Sequence, residues 1–354
     1  MKKIVLLLAS IVLAITMVIG CQSQTPTPTP AEPDAPAPAE PDAPAPAEPA
    51  APENAGGSGQ MKKIAVVHYL QAWQMYQIMT DFLQETCDEQ GIELVIVDAN
   101  LDANKQLQLI ETMMNSGVDG IFCVTLDGPT LEDVAARCAE QGIAFTSLFT
   151  EVKNASGNMF VDEFDYGYQI GKMGALYMAD NFPGERVEVG LLRMHDYLPG
   201  IERGQGMEAA VAEFFPTGVV VNDQHSVDVA SAMSATEAIL AGNPETRLFL
   251  TDSDDTGAIG AYEALRARVS PEDQHKYAVI GADGTMQAFG YIAEGGMYRG
   301  TVALDMKAIA DMAFNMTAAA FKGEPYEKIQ YVEYVLVDIN NVNEWIAKYE
   351  DIMG

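Results

Sequence analysis

The chain has 354 residues, 48% of them hydrophobic and 20% charged, a length that suits two domains, each burying its own core. The formal charge is −31, and outside Lys2, Lys3 and the six acids of residues 22–60 the remainder still sets 45 acidic against 18 basic side chains. A field of that sign repels phosphate backbones and anionic head groups, which makes nucleic acid a poor partner.

Lys2-Lys3 is followed by a nearly unbroken apolar run from Ile4 to Ile19, then Gly20 and Cys21. A short positive segment, an apolar stretch and a small residue at the cleavage point form a secretory signal, here residues 1–20. Val18-Ile19-Gly20-Cys21 resembles a bacterial lipobox, in which the Cys21 thiol takes a diacylglycerol and becomes the new N-terminus. A plain spanning anchor is the alternative, since the run approaches the length that crosses a bilayer. The expectation is an exported, extracytoplasmic chain, lipid-anchored to the bacterial cell membrane through Cys21.

Residues 21–60 read as a tether. An eight-residue unit, Ala-Glu-Pro-Asp-Ala-Pro-Ala-Pro, fills 31–38 and 39–46, decays over 47–54, and is closed by Gly56-Gly57-Ser58-Gly59. With no large apolar side chain the segment cannot offset the entropy of ordering. Its prolines favour polyproline II, so some thirty residues reach roughly 90 Å at about 3.1 Å each.

From Ile64 strand and helix signals alternate. Apolar runs at Ile64–Val67, Leu94–Val97, Ile121–Val124 and Ile143–Phe145 predict strands buried on both faces. Between them, helical periodicity covers about 73–89, 104–115 and 131–141, each closed by Gly91, Gly117 or Gly142. After Met159–Asp162 a second set opens, with strands at Val187–Leu192, Val219–Val221, Leu248–Leu250, Ala278–Ile280 and Thr301-Val302. Its helices are expected near 166–181, 203–214, 230–241, 257–267 and 286–294. This alternation predicts α/β architecture, parallel sheets covered on both faces, with ligand at the carboxyl ends of the strands.

No glycine-rich phosphate loop follows the first strand, where the chain reads His68-Tyr69-Leu70-Gln71-Ala72-Trp73. The glycines of Gly167–Gly171 and Gly257–Gly260 sit inside helical patterns and suggest close helix packing. No His-rich metal cluster or nucleophile elbow is seen, so no cofactor, no metal and no enzyme activity are expected. Cys87, Cys123 and Cys138 fit no zinc spacing; Cys123 lies in an apolar run, as a buried thiol would, and a disulfide is left open.

Several stretches then resemble the periplasmic sugar-binding family that includes the ribose-binding protein. Asp162–Lys172 resembles its Asp-Asn-x-x-x-Gly-x-x-x-Gly-Lys segment, Arg203–Met207 its Arg-x-x-Gly-Phe helix start, Asp254-Asp255 with Gly260-Ala261 its Asn-Asp-x-x-x-x-Gly-Ala element, and Gly281–Gly284 its Gly-Phe-Asp-Gly. The resemblance spans residues 62–340. It implies a type I periplasmic binding fold: two similar doubly wound parallel-sheet lobes, joined by a three-crossing hinge, with ligand in the cleft. The lobes would be residues 61–161 with 304–336, and 162–303 with 337–354. The crossings would fall near Val161-Asp162, Ala303–Asp305 and Leu336–Asn340, with helix Met306–Phe321 returning to the first lobe.

Carried onto the chain, the resemblance makes Asp283 the main acceptor of ligand hydroxyls, or else a helix cap. Asp254 stands at the family's Asn, as an acceptor-only ligand contact or an exposed N-cap. Trp73, Gln74 and Tyr76 follow the first strand, where rings stack on sugar, although Tyr76 could open the helix core. Thr125 and Asp127 follow the third strand, and Asp127 is also a natural cap. Phe149-Thr150 replaces the Asp-Arg of ribose binders, and the next family Arg aligns with Ile201. Losing both guanidinium forks puts pentose in doubt and directs attention to Arg193 or His195 as substitutes. Asp305, at the second crossing, completes the expected ligand contacts.

The resulting expectation is a monomeric solute-binding lipoprotein that captures a sugar or sugar-like molecule and delivers it to the permease of an ABC importer. The alternative is a lipoprotein that presents a nucleoside, autoinducer or amino sugar to a membrane receptor or kinase.

Overall fold

A computed structural model describes residues 59–353; the signal segment, Cys21 and the tether through residue 58 lie outside the described residues. In chain order the first elements are β1 (Lys63–His68), α1 (Gln74–Gln90), β2 (Glu93–Asp98), α2 (Ala103–Asn115), β3 (Gly120–Val124), α3 (Gly128–Glu140), β4 (Ala144–Leu148) and β5 (Gly157–Phe160). There follow α4 (Glu163–Asn181), β6 (Val187–Arg193), α5 (Leu198–Phe214), β7 (Gly218–His225), α6 (Val229–Gly242), β8 (Thr246–Thr251), a π-helical turn (Asp254–Ala258), α7 (Ile259–Arg266), β9 (Ala278–Asp283), α8 (Met286–Ala293) and β10 (Tyr298–Leu304). The chain closes with α9 (Met306–Lys322), β11 (Ile329–Tyr331), β12 (Tyr334–Asp338) and α10 (Val342–Met353).

The strands form two six-stranded sheets, ordered β11-β5-β4-β3-β1-β2 and β12-β10-β9-β8-β6-β7. Every pairing is parallel except β10 with β12. Both sheets reverse strand order at one point, between β1 and β3 and between β6 and β8, which opens a crevice at the strand carboxyl ends. The expected α/β class and paired doubly wound lobes are therefore present. Gly91, Gly117 and Gly142 end α1, α2 and α3 near φ +69° to +76°, a conformation that disfavours any residue with a Cβ.

The chain passes between sheets three times. It leaves β5 through Val161-Asp162 and leaves β10 through Asp305, after which α9 packs on α1 and returns to the first lobe. The third passage is Val332-Glu333, between β11 and β12, earlier than the expected Leu336–Asn340. β11 has only three residues and β12 five, with Ile329, Tyr331 and Leu336 exposed, so neither shows the apolar run of a buried strand.

In the first lobe alternate strand residues feed opposite faces. Ile64, Val66 and Phe122 join the α1 side, while Ala65, Val67, Ile121 and Cys123 pack against the side chains of α2 and α3. Cys87, Cys123 and Cys138 are buried free thiols. Burial pushes Cys87 up to about 11 and Cys123 and Cys138 to about 12, leaving little thiolate at neutral pH.

In the second lobe α4 and α5 nearly touch through glycine. A Cβ on Gly167 would lie 2.0 Å from the Arg203 carbonyl oxygen, and one on Gly206 would lie 2.1 Å from that of Phe164. That approach sets Arg203 beside Glu163. α5 starts at Leu198 rather than near Arg203, with Pro199 in its first turn, so Arg203 lies inside the helix, over the cleft.

Candidate functional site

Between the carboxyl ends of the two sheets lies a cavity of about 30 Å³. That is room for about two waters, well below the roughly 300–1,000 Å³ of ordinary ligand pockets, so a ligand enters only as lobes or side chains move apart.

The first lobe supplies rings. Tyr69 follows β1 directly, Trp73 is the N-cap of α1, Tyr76 lies in its first turn, and Phe149 follows β4. Tyr69 stands edge-on to Trp73 at 5.5 Å and to Tyr76 at 5.4 Å, while Trp73 stacks on Tyr76 at 5.8 Å. Phe149 closes one side at 6.3 Å from Tyr76. Tyr197 reaches over from the second lobe to 5.9 Å from Tyr69. The hydroxyls of Tyr69 and Tyr76 share a short hydrogen bond, and the buried Tyr197 Oη has only the Tyr69 hydroxyl beside it among the described residues.

The second lobe supplies charge. Arg203, 7% exposed, donates from Nε to Glu163 Oε2 at 2.6 Å and from Nη1 to the Asp252 carbonyl at 2.6 Å and Asp283 Oδ1 at 3.2 Å. Its guanidinium also lies 4.5 Å from the Tyr166 ring centre. Burial works against its charge, but Glu163 and Asp283 overcome that cost and hold Arg203 cationic. Asp252 Oδ2 accepts from Met194 N–H at 2.7 Å, and burial raises this carboxyl to about 6.

Asp283, 3% exposed, ends β9 with φ +84°, and Phe149 has φ +74°. Of the four described non-glycine residues with positive φ, these two line the cavity, where strain of this kind tends to collect. Tyr166 Oη accepts from Asp283 N–H at 2.9 Å and fixes the turn. The cap of α8 is Thr285, whose Oγ1 accepts from Ala288 N–H at 3.2 Å, so Asp283 keeps its carboxylate for the cavity.

Trp73, Tyr76, Phe149 and Asp283 thus share one cavity, and the other expected contacts go elsewhere. Gln74 joins the lobes: its N–H donates to Asp255 Oδ2 at 2.9 Å, and its Oε1 accepts from Met286 N–H at 2.8 Å. Asp254 is fully buried behind the cavity wall, where Oδ1 accepts from Tyr298 Oη at 2.6 Å and Thr301 Oγ1 at 3.0 Å. Its Oδ2 takes the N–H groups of Gly284 and Thr285. The expectation of ligand contact at Asp254 is corrected by that set of protein donors.

Thr125 is buried and turns to the Cys123 carbonyl at 3.4 Å; Asp127, at the cap of α3, accepts from Thr130 Oγ1 at 2.5 Å. Thr150 lines a neighbouring groove with Pro129 and Leu198. Arg193 pairs with Asp223 at 2.5 Å and His195 bonds the same carboxylate at 2.9 Å, outside the cavity. Asp305 caps α9 through Ala308 N–H and pairs with Lys348 at 2.5 Å. The guanidinium sought at Arg193 comes instead from Arg203, two positions beyond Ile201.

Tyr69, Tyr197, Arg203, Asp252, Ser253 and Thr256 also line the cavity, and the sequence pattern does not mark them as contacts. Tyr69, Asp252 and Ser253 each stand within two residues of a strand end, the position that doubly wound sheets give to ligand contacts.

Two α/β lobes linked by three passages, meeting over a ring-lined and ionised cleft, define a clamp for a small solute. The chain belongs to the periplasmic binding protein domain family, whose model matches residues 64–325. It is 23% identical over 250 residues to the ribose import binding protein of Bacillus subtilis, covering 70% of this chain and 77% of that one. It is 24% identical over 296 residues to the D-xylose-binding periplasmic protein of Haemophilus influenzae, covering 79% and 86%. Among solved structures, a Bacillus halodurans ABC transporter solute binding protein with bound myo-inositol superposes with TM-score 0.71 at 24% identity, over 83% of this chain and 100% of that one. One from Actinobacillus succinogenes with bound D-allose gives TM-score 0.71 at 23% identity, over 80% and 99%.

Proposed function

We propose that the protein is an extracytoplasmic solute-binding lipoprotein that captures a sugar or polyol between its lobes and hands it to the permease of an ABC importer. The observation carrying this reading is the cavity at both topological switch points, with rings on one wall and Asp283 and Arg203 on the other. Rings cover the apolar face of a hydroxylated ring, while carboxylate and guanidinium take hydroxyl hydrogens and lone pairs. Relatives named for ribose and D-xylose support the same class. Asp127, Thr150, Arg193, His195 and Asp305 play no part in the pocket, and Gln74 acts in closure.

Residues 1–20 act as the signal, Cys21 carries the lipid, and residues 21–60 hold a monomeric body away from the membrane. Titrating the purified protein with pentoses, hexoses and inositols tests the capture step. Trp345→Phe leaves Trp73 as the sole tryptophan reporter. A saturable fluorescence change is expected, and silence across all three classes and their amino derivatives refutes the reading. Cys21→Ser tests the anchor separately, since it should release the chain from the membrane fraction.

A further inference from the structure

The charges around the cavity do not balance. Among the described residues Arg203 is the only Lys or Arg lining it, against Asp252 and Asp283, and Glu163 already binds Arg203 Nε from behind. Asp252 receives Met194 N–H and Thr256 Oγ1, and no cation among the described residues bonds its carboxylate. Asp283 uses Oδ1 for Arg203 and Tyr166, while Oδ2 takes no hydrogen bond from the described residues. Three carboxylates around one guanidinium leave an excess of buried negative charge, which is costly until a positive group meets it.

Three further features indicate what meets it. The facing rings form a box, with Tyr69 at interplanar angles of 85° to Trp73 and 81° to Tyr76. Such a box offers π-faces in two nearly perpendicular directions, and the π-face attracts cations as well as sugar C–H. Tyr197 Oη is buried with only the Tyr69 hydroxyl, itself already bonded to Tyr76, beside it, and Arg203 Nη2 donates to nothing among the described residues. Those two groups need hydroxyls, whereas Asp283 Oδ2 and the ring box need a cation.

Resting on the solute-capture reading, we propose that the ligand is a compact hydroxylated molecule carrying one protonated amine, an amino sugar or amino polyol. Its ammonium sits against Asp283 Oδ2 with Asp252 nearby and the rings behind. Its hydroxyls accept from Arg203 Nη2 and bond Tyr197 Oη. A neutral sugar would fill the hydroxyl contacts and leave the excess charge unmet.

The test uses matched pairs on the purified protein, by calorimetry and Trp73 fluorescence: glucosamine with glucose, glucamine with sorbitol, and N-methyl- with N-acetylglucosamine. In each pair the charged member is expected to bind at least 30-fold more tightly, with N-methylation tolerated and N-acetylation abolishing binding. Asp283→Asn should cut that preference to a few-fold, and Asp252→Asn should lower it independently, each variant being checked for a native melting transition. Neutral members binding as tightly as charged ones overturn the amine assignment and leave sugar capture standing. An unchanged preference in both folded variants also overturns it. Absence of binding by every pair, and by the pentoses and inositols above, removes both readings.

Discussion

The two lobes share a topology yet bring different chemistry to the cleft. From the first lobe come Tyr69, Trp73, Met75, Tyr76 and Phe149, all apolar or ring-bearing. From the second come Arg203, Asp252, Ser253, Thr256 and Asp283, with Tyr197 and Met194 the main apolar members. The fold therefore fixes where the walls stand, and the residues just past each strand decide what they recognise. A ring wall is indifferent to the rotation of a flat ligand about its normal. A charged wall is not, so orientation is set by the second lobe and contact area by the first.

The largest effect should follow from discharging the second wall. Asp283→Asn keeps the backbone, because Asn tolerates positive φ, and keeps the size of the side chain. It removes one charged acceptor, and hydrogen bonds to charged groups are worth about 1.5–3 kcal/mol, so affinity should fall by roughly 10- to 100-fold. An unchanged Kd by calorimetry would mean that the charged wall does not set orientation.

The ring wall should respond less. Trp73→Ala removes a partly buried face that stacks on Tyr76 and should weaken binding about tenfold, whereas Trp73→Phe should keep most of the affinity. If the alanine variant lost more than Asp283→Asn, the ranking of the walls would be inverted.

Much of this arrangement was legible beforehand, and the failures are local. The apolar runs at Ile64–Val67 and Ile121–Val124 are buried on both faces, so nothing but strand suits them, and with their neighbours they gave both sheets. Three acids within four residues after β8 were not separable. Asp252 faces the cavity, Asp254 the interior and Asp255 the other lobe, because a π-helical turn over 254–258 shifts the phase of the side chains. Arg203 was hidden because α5 starts five residues earlier than its apolar pattern suggests. Gln74 follows Trp73 in the loop expected to hold ligand, but its hydrogen bonds go to Asp255 and Met286, more than 180 positions away, which no local pattern shows.

The side-chain bond of Gln74 makes a third test, of the closure both walls depend on. It joins the lobes at Met286 N–H, outside the cavity, so Gln74→Ala should speed ligand release several-fold in stopped-flow traces while leaving ligand preference unchanged. The backbone bond to Asp255 survives in the variant, so one hydrogen bond of about 1 kcal/mol, partly replaced by water, sets that scale. A release rate equal to the parent's would show that the rings and charges alone keep the lobes together.

The smallest effect concerns stability, and it again separates the lobes. In the second lobe burial raises Asp252 and Asp255 to about 6 and Asp254 to about 7, and Glu163 shifts in the same direction. The folded state then holds protons that the unfolded chain has released, so stability falls as pH rises from about 4 through 7. In the first lobe burial lowers His68 to about 4. His68 Nε2 lies 2.9 Å from Thr80 Oγ1, whose own hydrogen goes to the Tyr76 carbonyl, so the ring donates and is neutral. Its effect is opposite: stability rises with pH from about 4 to 6.5 and is constant above. Between pH 6.5 and 8 Asp254 is foremost among the buried carboxyls, and the loss should be on the order of 1 kcal/mol, or about 2 °C in Tm. Asp254→Asn, which keeps an oxygen for Tyr298 and Thr301, should flatten the melting profile across that window. A variant whose Tm declines in parallel with the parent would place the titrating group elsewhere than Asp254.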